Sequence, residues 1–202
     1  MKKMILALPA VIAIVAFMSL AARTGHAEEE ARKGGLSANK KVLIVYFSHT
    51  GNTREIASQI HERVGGDILE IQAVKPYPSD YDTVVKQARE ELDAGYKPVL
   101  KPIGEDIGSY DVIFVGYPNW WGTFPAPVKT FLSSYHFSGK ALAPFCTHEG
   151  SAMGNSVEDI QKLCPDARLL RGLAIRGRTV KTAQEKVSEW LREIQIVKGT
   201  TS

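Results

Sequence analysis

Cysteine is scarce in this chain, with Cys146 and Cys164 the only two in 202 residues. Cys146 falls at the C-terminal end of an expected strand and Cys164 at the far end of the helix that follows. A helix of about nine residues carries the chain roughly 13 Å, and a disulfide needs Cα atoms within about 7 Å. Two free thiols are therefore expected, not a disulfide scaffold. An excess of either charge is also missing. Lys and Arg number 25 against 22 Asp and Glu, and Lys2, Lys3 and Arg23 account for the difference. Beyond residue 27 the chain is close to neutral, which excludes the electrostatic footprint of a nucleic-acid or anionic-membrane binder. No cluster of His, Cys, Asp and Glu has metal-ligand spacing. Neither GxxxxGK[ST] nor GxGxxG occurs, and there is no internal repeat.

One long apolar run is present, from Met4 to Ala22. Lys2 and Lys3 precede it, and Gly25-His26-Ala27 puts small residues at the −3 and −1 positions of a cleavage site. The pattern is that of a secretory signal peptide over residues 1–27. The run is nearly long enough to cross a bilayer, so an uncleaved, membrane-anchored form is the alternative. The segment has no Arg-Arg pair, and no Cys follows the run to accept a lipid. The expected address is export, to the periplasm or another extracytoplasmic space. Residues 28–40, charged and small, read as a flexible linker. One domain is expected over residues 41–195, with a C-terminal tail at 196–202.

Within that domain, apolar runs alternate with helical patterns. Strands are expected at Lys41–Phe47, Asp67–Gln72, Asp111–Tyr117, Lys140–Thr147 and Ala167–Ile175. Helices are expected at Asn52–Val64, Asp80–Ala94, Pro125–Ser134, Ser156–Leu163 and Val180–Ile194. Strands apolar on both faces that alternate with helices predict an α/β fold, a five-stranded parallel sheet covered on both sides. Ligands of such sheets bind at the C-terminal strand ends where the winding reverses. Three loops leave those ends with unusual chemistry.

The first is Ser48-His49-Thr50-Gly51-Asn52-Thr53, between a buried strand and a helix. Its N–H groups and hydroxyls gather at the positive end of the helix dipole, an anion site. It holds no Lys or Arg, which suits a phosphate monoester bound by neutral donors. The bland reading is a capped strand-to-helix turn. The second loop, Pro118-Asn119-Trp120-Trp121-Gly122, carries two of the three tryptophans and reads as a wall for a flat aromatic ligand, or as a protein-contact patch. The third, Thr147 to Gly154, is short-chained and glycine-bearing. Its backbone can approach a ring edge closely. A phosphate site beside two loops for a planar, hydrogen-bonding ring describes flavin mononucleotide, FMN.

From Lys41 to about Ile194 the chain resembles the flavodoxin family in its short form, without a long insertion splitting the last strand. Ser48–Thr53 matches the family's [ST]-x-T-G-x-T phosphate loop at every fixed position. The resemblance implies a flavodoxin-like doubly wound fold and a phosphate held by Ser48, Thr50, Asn52 and Thr53 with the backbone around Gly51, His49 lying in the same loop. It also implies a first ring loop at Pro118, Asn119, Trp120, Trp121 and Gly122, with Trp120 or Trp121 stacking on the flavin. The second ring loop is Thr147, His148, Glu149, Gly150, Ser151 and Gly154. The stretch from Tyr77 to Gly95 is similar to a subgroup associated with NAD(P)H-dependent oxidoreductases.

No nucleophile–base pair is present, since Ser48 and His49 are sequence neighbours and project apart. His49 and His148 both border the expected pocket and either could move a proton, with His148 the catalytic candidate, against the plainer reading of two loop histidines. Two functions stay open. One is an FMN oxidoreductase passing electrons to a small acceptor such as a quinone. The other is an electron carrier between protein partners.

Overall fold

Leu43, Ile44 and Val45 have no exposed surface, the mark of a strand covered on both faces. They form the middle of β1 (Val42–Tyr46) in the computed structural model, which describes residues 40–197. The expected signal segment 1–27, the linker up to residue 39 and residues 198–202 lie outside the described residues. The elements that follow are α1 (Asn52–Val64), β2 (Asp67–Glu70), α2 (Tyr81–Asp93), β3 (Val112–Pro118), α3 (Ala126–Ser134), β4 (Ala141–His148), α4 (Ser156–Leu163), β5 (Arg168–Leu169), β6 (Leu173–Arg176) and α5 (Gln184–Glu193).

The sheet is parallel throughout, in the order β2-β1-β3-β4, with β5 and β6 both lying against β4. Helix α1 packs with α5, and α3 packs with α2 and α4, which puts a helical layer on each face. This is the doubly wound α/β architecture that the alternating pattern predicts. From β1 the chain winds one way to β2 and the other way to β3. The C-terminal ends of β1 and β3 therefore open a crevice at the switch point.

Two elements differ from the sequence expectation. The fifth strand, expected as one run over Ala167–Ile175, is two strands, so the sheet has six. The cause lies on β4. Leu142 accepts a hydrogen bond from the Leu170 N–H at 2.8 Å, so alternate β4 residues face the outer strand. Pro144 is the next to face it, and proline has no N–H to give. Opposite it the outer strand takes one residue more than β4 between the pairs Leu142↔Leu169 and Phe145↔Leu173, a bulge. In the bulge the Arg171 carbonyl accepts a hydrogen bond from the Trp190 indole of α5 at 2.8 Å. A Cβ on Gly172 would stand 2.7 Å from Met153 Cε, the movable end of a flexible side chain that packs over the bulge.

The closing helix, expected from Val180, begins at Gln184 after a 3-10 segment, Gly177–Thr182. Thr179 and Thr182 turn their hydroxyls back to the carbonyls of Arg176 (2.9 Å) and Thr179 (3.2 Å), which competes with helical bonding. The Val180 carbonyl is taken instead by the Gln59 side-chain amide at 2.7 Å.

Candidate functional site

The first loop turns out of β1 through Gly51, whose φ of +91° is a left-handed conformation with open space where a Cβ would stand. Ser48 Oγ accepts hydrogen bonds from the N–H groups of Gly51 (3.2 Å) and Arg54 (3.3 Å). These donors and those of Asn52 and Thr53 cluster at the start of α1, where no preceding helical turn supplies carbonyls. The loop is thus a ring of neutral donors at a positive helix end. His49 points aside: its Nε2–H donates to the Pro78 carbonyl at 2.8 Å, and its ring meets the edge of Trp120 at 5.8 Å.

In the second loop a tight turn runs from Trp120 to Thr123, with reciprocal backbone bonds of 2.9 and 3.1 Å. Its two central residues, Trp121 (φ +55°) and Gly122 (φ +85°), are both left-handed, as in a type I′ turn. A tryptophan in that conformation is strained by roughly 1–2 kcal/mol, and such strain gathers at functional sites. The two indoles play different parts. Trp120 is half-buried among Phe47 (5.6 Å) and Tyr77 (5.2 Å), edge to face. Trp121 is 51% exposed, its Nε1–H held by the Val85 carbonyl at 3.1 Å and its face covered by the Arg89 guanidinium at 5.3 Å.

The third loop is tied to both others. Thr147, buried at the end of β4, shares a hydrogen bond of 2.9 Å with Thr53 of α1. The Asn119 side chain donates to the Ala152 carbonyl at 2.7 Å and accepts from the Gly122 N–H at 3.0 Å. The Asn155 N–H donates to the Gly122 carbonyl at 2.7 Å. A Cβ on Gly154 would stand 2.2 Å from that same carbonyl oxygen, so only glycine lets the two loops approach this closely. Tyr117 and Ser156, both buried, share a hydrogen bond of 2.9 Å beneath the loop.

The loops enclose a cleft of about 520 Å³, within the usual range for a small-molecule site. His49, Thr50, Asn52, Pro118, Asn119, Trp120, Trp121, Thr147, Glu149, Gly150 and Ser151 line it, and so does His148. Ser48, Gly51, Thr53, Gly122 and Gly154 do not line it: they shape the loops from behind. His148 Nδ1 is buried without a hydrogen-bond partner. Burial lowers the pKa of His148, Arg176 and Lys186 lower it further, and Glu149 opposes them. The imidazole is therefore held neutral more readily than an ordinary one. The far wall of the cleft is α2, through Tyr81, Val84, Val85 and Ala88. The loop reading missed that wall. Its signal in the sequence is faint, an amphipathic helix beginning with Tyr81, which is 76% exposed. Both cysteines are buried free thiols.

A family model described as flavodoxin matches residues 41–194. The flavodoxin-like domain-containing protein BilS of Clostridioides difficile is 28% identical over 157 residues, 75% of this chain and 74% of its own. A Bacteroides eggerthii protein described as a flavoprotein has a solved structure that is similar at a TM-score of 0.69 and 34% identity, over 77% of this chain and 98% of that one. A Lactobacillus acidophilus flavoprotein solved in complex with FMN shares the fold at a TM-score of 0.60 and 24% identity, over 75% of this chain and 98% of its own.

Proposed function

The chain belongs to the flavodoxin family, and on that footing we propose that it is an FMN-binding oxidoreductase that passes electrons to a small acceptor such as a quinone. The observation that carries the reading is the meeting of three loops around one cleft at the switch point of the sheet. The residues suit the cofactor. The Asn52 and Thr53 N–H groups at the start of α1, beside those that Ser48 Oγ already holds, fit a phosphate monoester. The half-exposed Trp121 offers a flat face, and His148 lines the same cleft. Bound FMN would supply the redox chemistry itself.

This chain's residues then have separate tasks. The loop around Gly51, with Thr50 and Asn52, anchors the phosphate. Trp121 covers the ring from the side of α2, while Trp120 braces the loop against Phe47 and Tyr77. Gly150 and Ser151 offer backbone to the ring edge. His148, held neutral, can steady or donate a proton at that edge.

The test is reconstitution of purified protein with FMN and with riboflavin, followed by fluorescence quenching. FMN should bind more tightly. Equal affinities would remove the phosphate loop from the account. Oxidation of NADH or NADPH by the loaded protein, with and without a quinone, then separates enzyme from carrier. No turnover with either nucleotide would favour exchange between protein partners, with the exposed Trp121 rim as the docking edge. Export is proposed on the sequence of residues 1–27 alone. Intact mass of protein recovered after export should begin at Glu28, whereas a full-length species in the membrane fraction would favour the anchor.

A further inference from the structure

Glu149 belongs to the third loop, yet its carboxylate approaches the side chain of Asn52, the first residue of α1. A Cβ on Gly177 would stand 2.2 Å from Glu149 Oε1 and 2.7 Å from Asn52 Nδ2. Carboxylate and carboxamide therefore converge on one point over Gly177, and glycine at 177 keeps that point open. Asn52 is the first residue of α1, where the helix dipole is positive and the N–H groups lack carbonyl partners. A carboxylate is favoured there while no other anion is present. Ser48 Oγ already accepts from two of the nearby N–H groups. Glu149 thus lines the cleft together with Thr50 and Asn52, at the end where the phosphate would go.

We propose that Glu149 is a displaceable occupant of the phosphate site, so that FMN must push a carboxylate aside in order to bind. The proposal rests on the FMN reading above. A phosphate monoester and a carboxylate at the same helix end repel, and in a partly desolvated cleft that repulsion is strong enough to change affinity severalfold. The displaced carboxylate has a destination. Arg176 Nη2 lies 3.7 Å from where a Cβ on Gly150 would stand, and Arg176 has no ion pair among the described residues. Glu149 thus sits between the start of α1 and a free guanidinium, and the phosphate decides which it faces. The consequence is a cofactor held loosely enough to exchange, with the neutral ring of riboflavin indifferent to the gate.

The experiment is a fluorescence-quenching titration of wild type, Glu149→Gln, Arg176→Gln and the double variant, each with FMN and with riboflavin. Glu149→Gln should raise the FMN-to-riboflavin affinity ratio at least about threefold. Arg176→Gln should lower that ratio in the presence of Glu149 and change it less in the double variant. An unchanged or lower ratio in Glu149→Gln overturns the proposal, and so does an Arg176→Gln effect of equal size in both backgrounds. A wild-type ratio of one would instead overturn the FMN reading. Inorganic phosphate, with no flavin present, gives a second readout. It should raise the thermal midpoint of Glu149→Gln more than that of wild type, and equal shifts would again overturn the proposal.

Discussion

Thr53 and Thr147, 94 residues apart in the chain, share a buried hydroxyl–hydroxyl hydrogen bond of 2.9 Å. The first belongs to the opening turn of α1 and the second to the last residues of β4. Through that single bond the anion loop and the third loop are positioned against each other, across the strand that lies between their parent strands.

Breaking the bond from one side should cost more than removing it altogether. Thr147→Val keeps the shape but leaves the Thr53 hydroxyl buried and unpaired, at about 1–3 kcal/mol. Thr53→Val with Thr147→Val leaves no orphan and should recover part of the loss. Urea unfolding of the two singles and the double measures the coupling.

The contact between the second and third loops should be intolerant of a single methyl group. Gly154 has φ +54°, and an added Cβ would stand 2.2 Å from the Gly122 carbonyl oxygen. Gly154→Ala should therefore break the Asn155-to-Gly122 bond and destabilise the fold by about 2 kcal/mol or more. Flavin affinity should fall further than the thermal midpoint alone would imply. A flavin titration well below the melting temperature checks this.

The two tryptophans should separate stability from cofactor control. Trp120→Ala removes a half-buried ring from contact with Phe47, Tyr77 and His49 and should cost about 3 kcal/mol in stability. Trp121→Ala removes an exposed ring and keeps an L-residue at the left-handed turn position, and should leave stability nearly unchanged. It should instead weaken FMN binding and make the bound flavin easier to reduce, because an electron-rich face no longer opposes added negative charge. Spectroelectrochemical titration of both variants reads the difference. Unaltered affinity and potential in Trp121→Ala would turn the indole into a docking surface.

The cleft wall formed by α2 should weaken in acid. Asp80 caps that helix, its carboxylate accepting from the Thr83 hydroxyl and N–H, and these bonds hold its pKa below the usual carboxylate value. A depressed folded-state pKa stabilises the fold above the unfolded pKa and loses that contribution as pH falls through the folded value. Asp80→Ala should therefore destabilise the protein at neutral pH, and the difference from wild type should shrink in acid as pH falls through the depressed folded-state value. Thermal melts across that window provide the test.

The thiols should be silent in the native state. Burial pushes Cys146 up to about 12 and Cys164 up to about 11, so neither holds appreciable thiolate at neutral pH. A colourimetric thiol reagent should count none before denaturation and two after it. Rapid native labelling would mean that β4 opens locally.

Local signals made most of this molecule legible in the sequence. Asn52–Val64 and Ser156–Leu163 are helices over the residues that the pattern predicts, because periodicity, and for the first a stop at Gly65, act within one segment. Strand five was misread because its break is dictated by Pro144 on another strand, and sheet pairing is not a local property. In the site, the three loops could be picked out from their composition. The α2 wall could not, since Val84 and Ala88 carry ordinary core chemistry and only the fold turns them toward the cleft. Nor could the reach of Glu149 to Asn52, which depends on a glycine 28 positions beyond Glu149.

The gap between β5 and β6 is a seam in the sheet. Opposite Pro144 the ladder has already given up a donor, and the Arg171 carbonyl beside it is satisfied from α5. Extra chain spliced in at residues 170–172 would therefore sacrifice little pairing, provided the Trp190 contact is kept. The outer strand is the place where this domain can lengthen, gaining a lobe beside the third loop without redrawing the strands that carry the cleft.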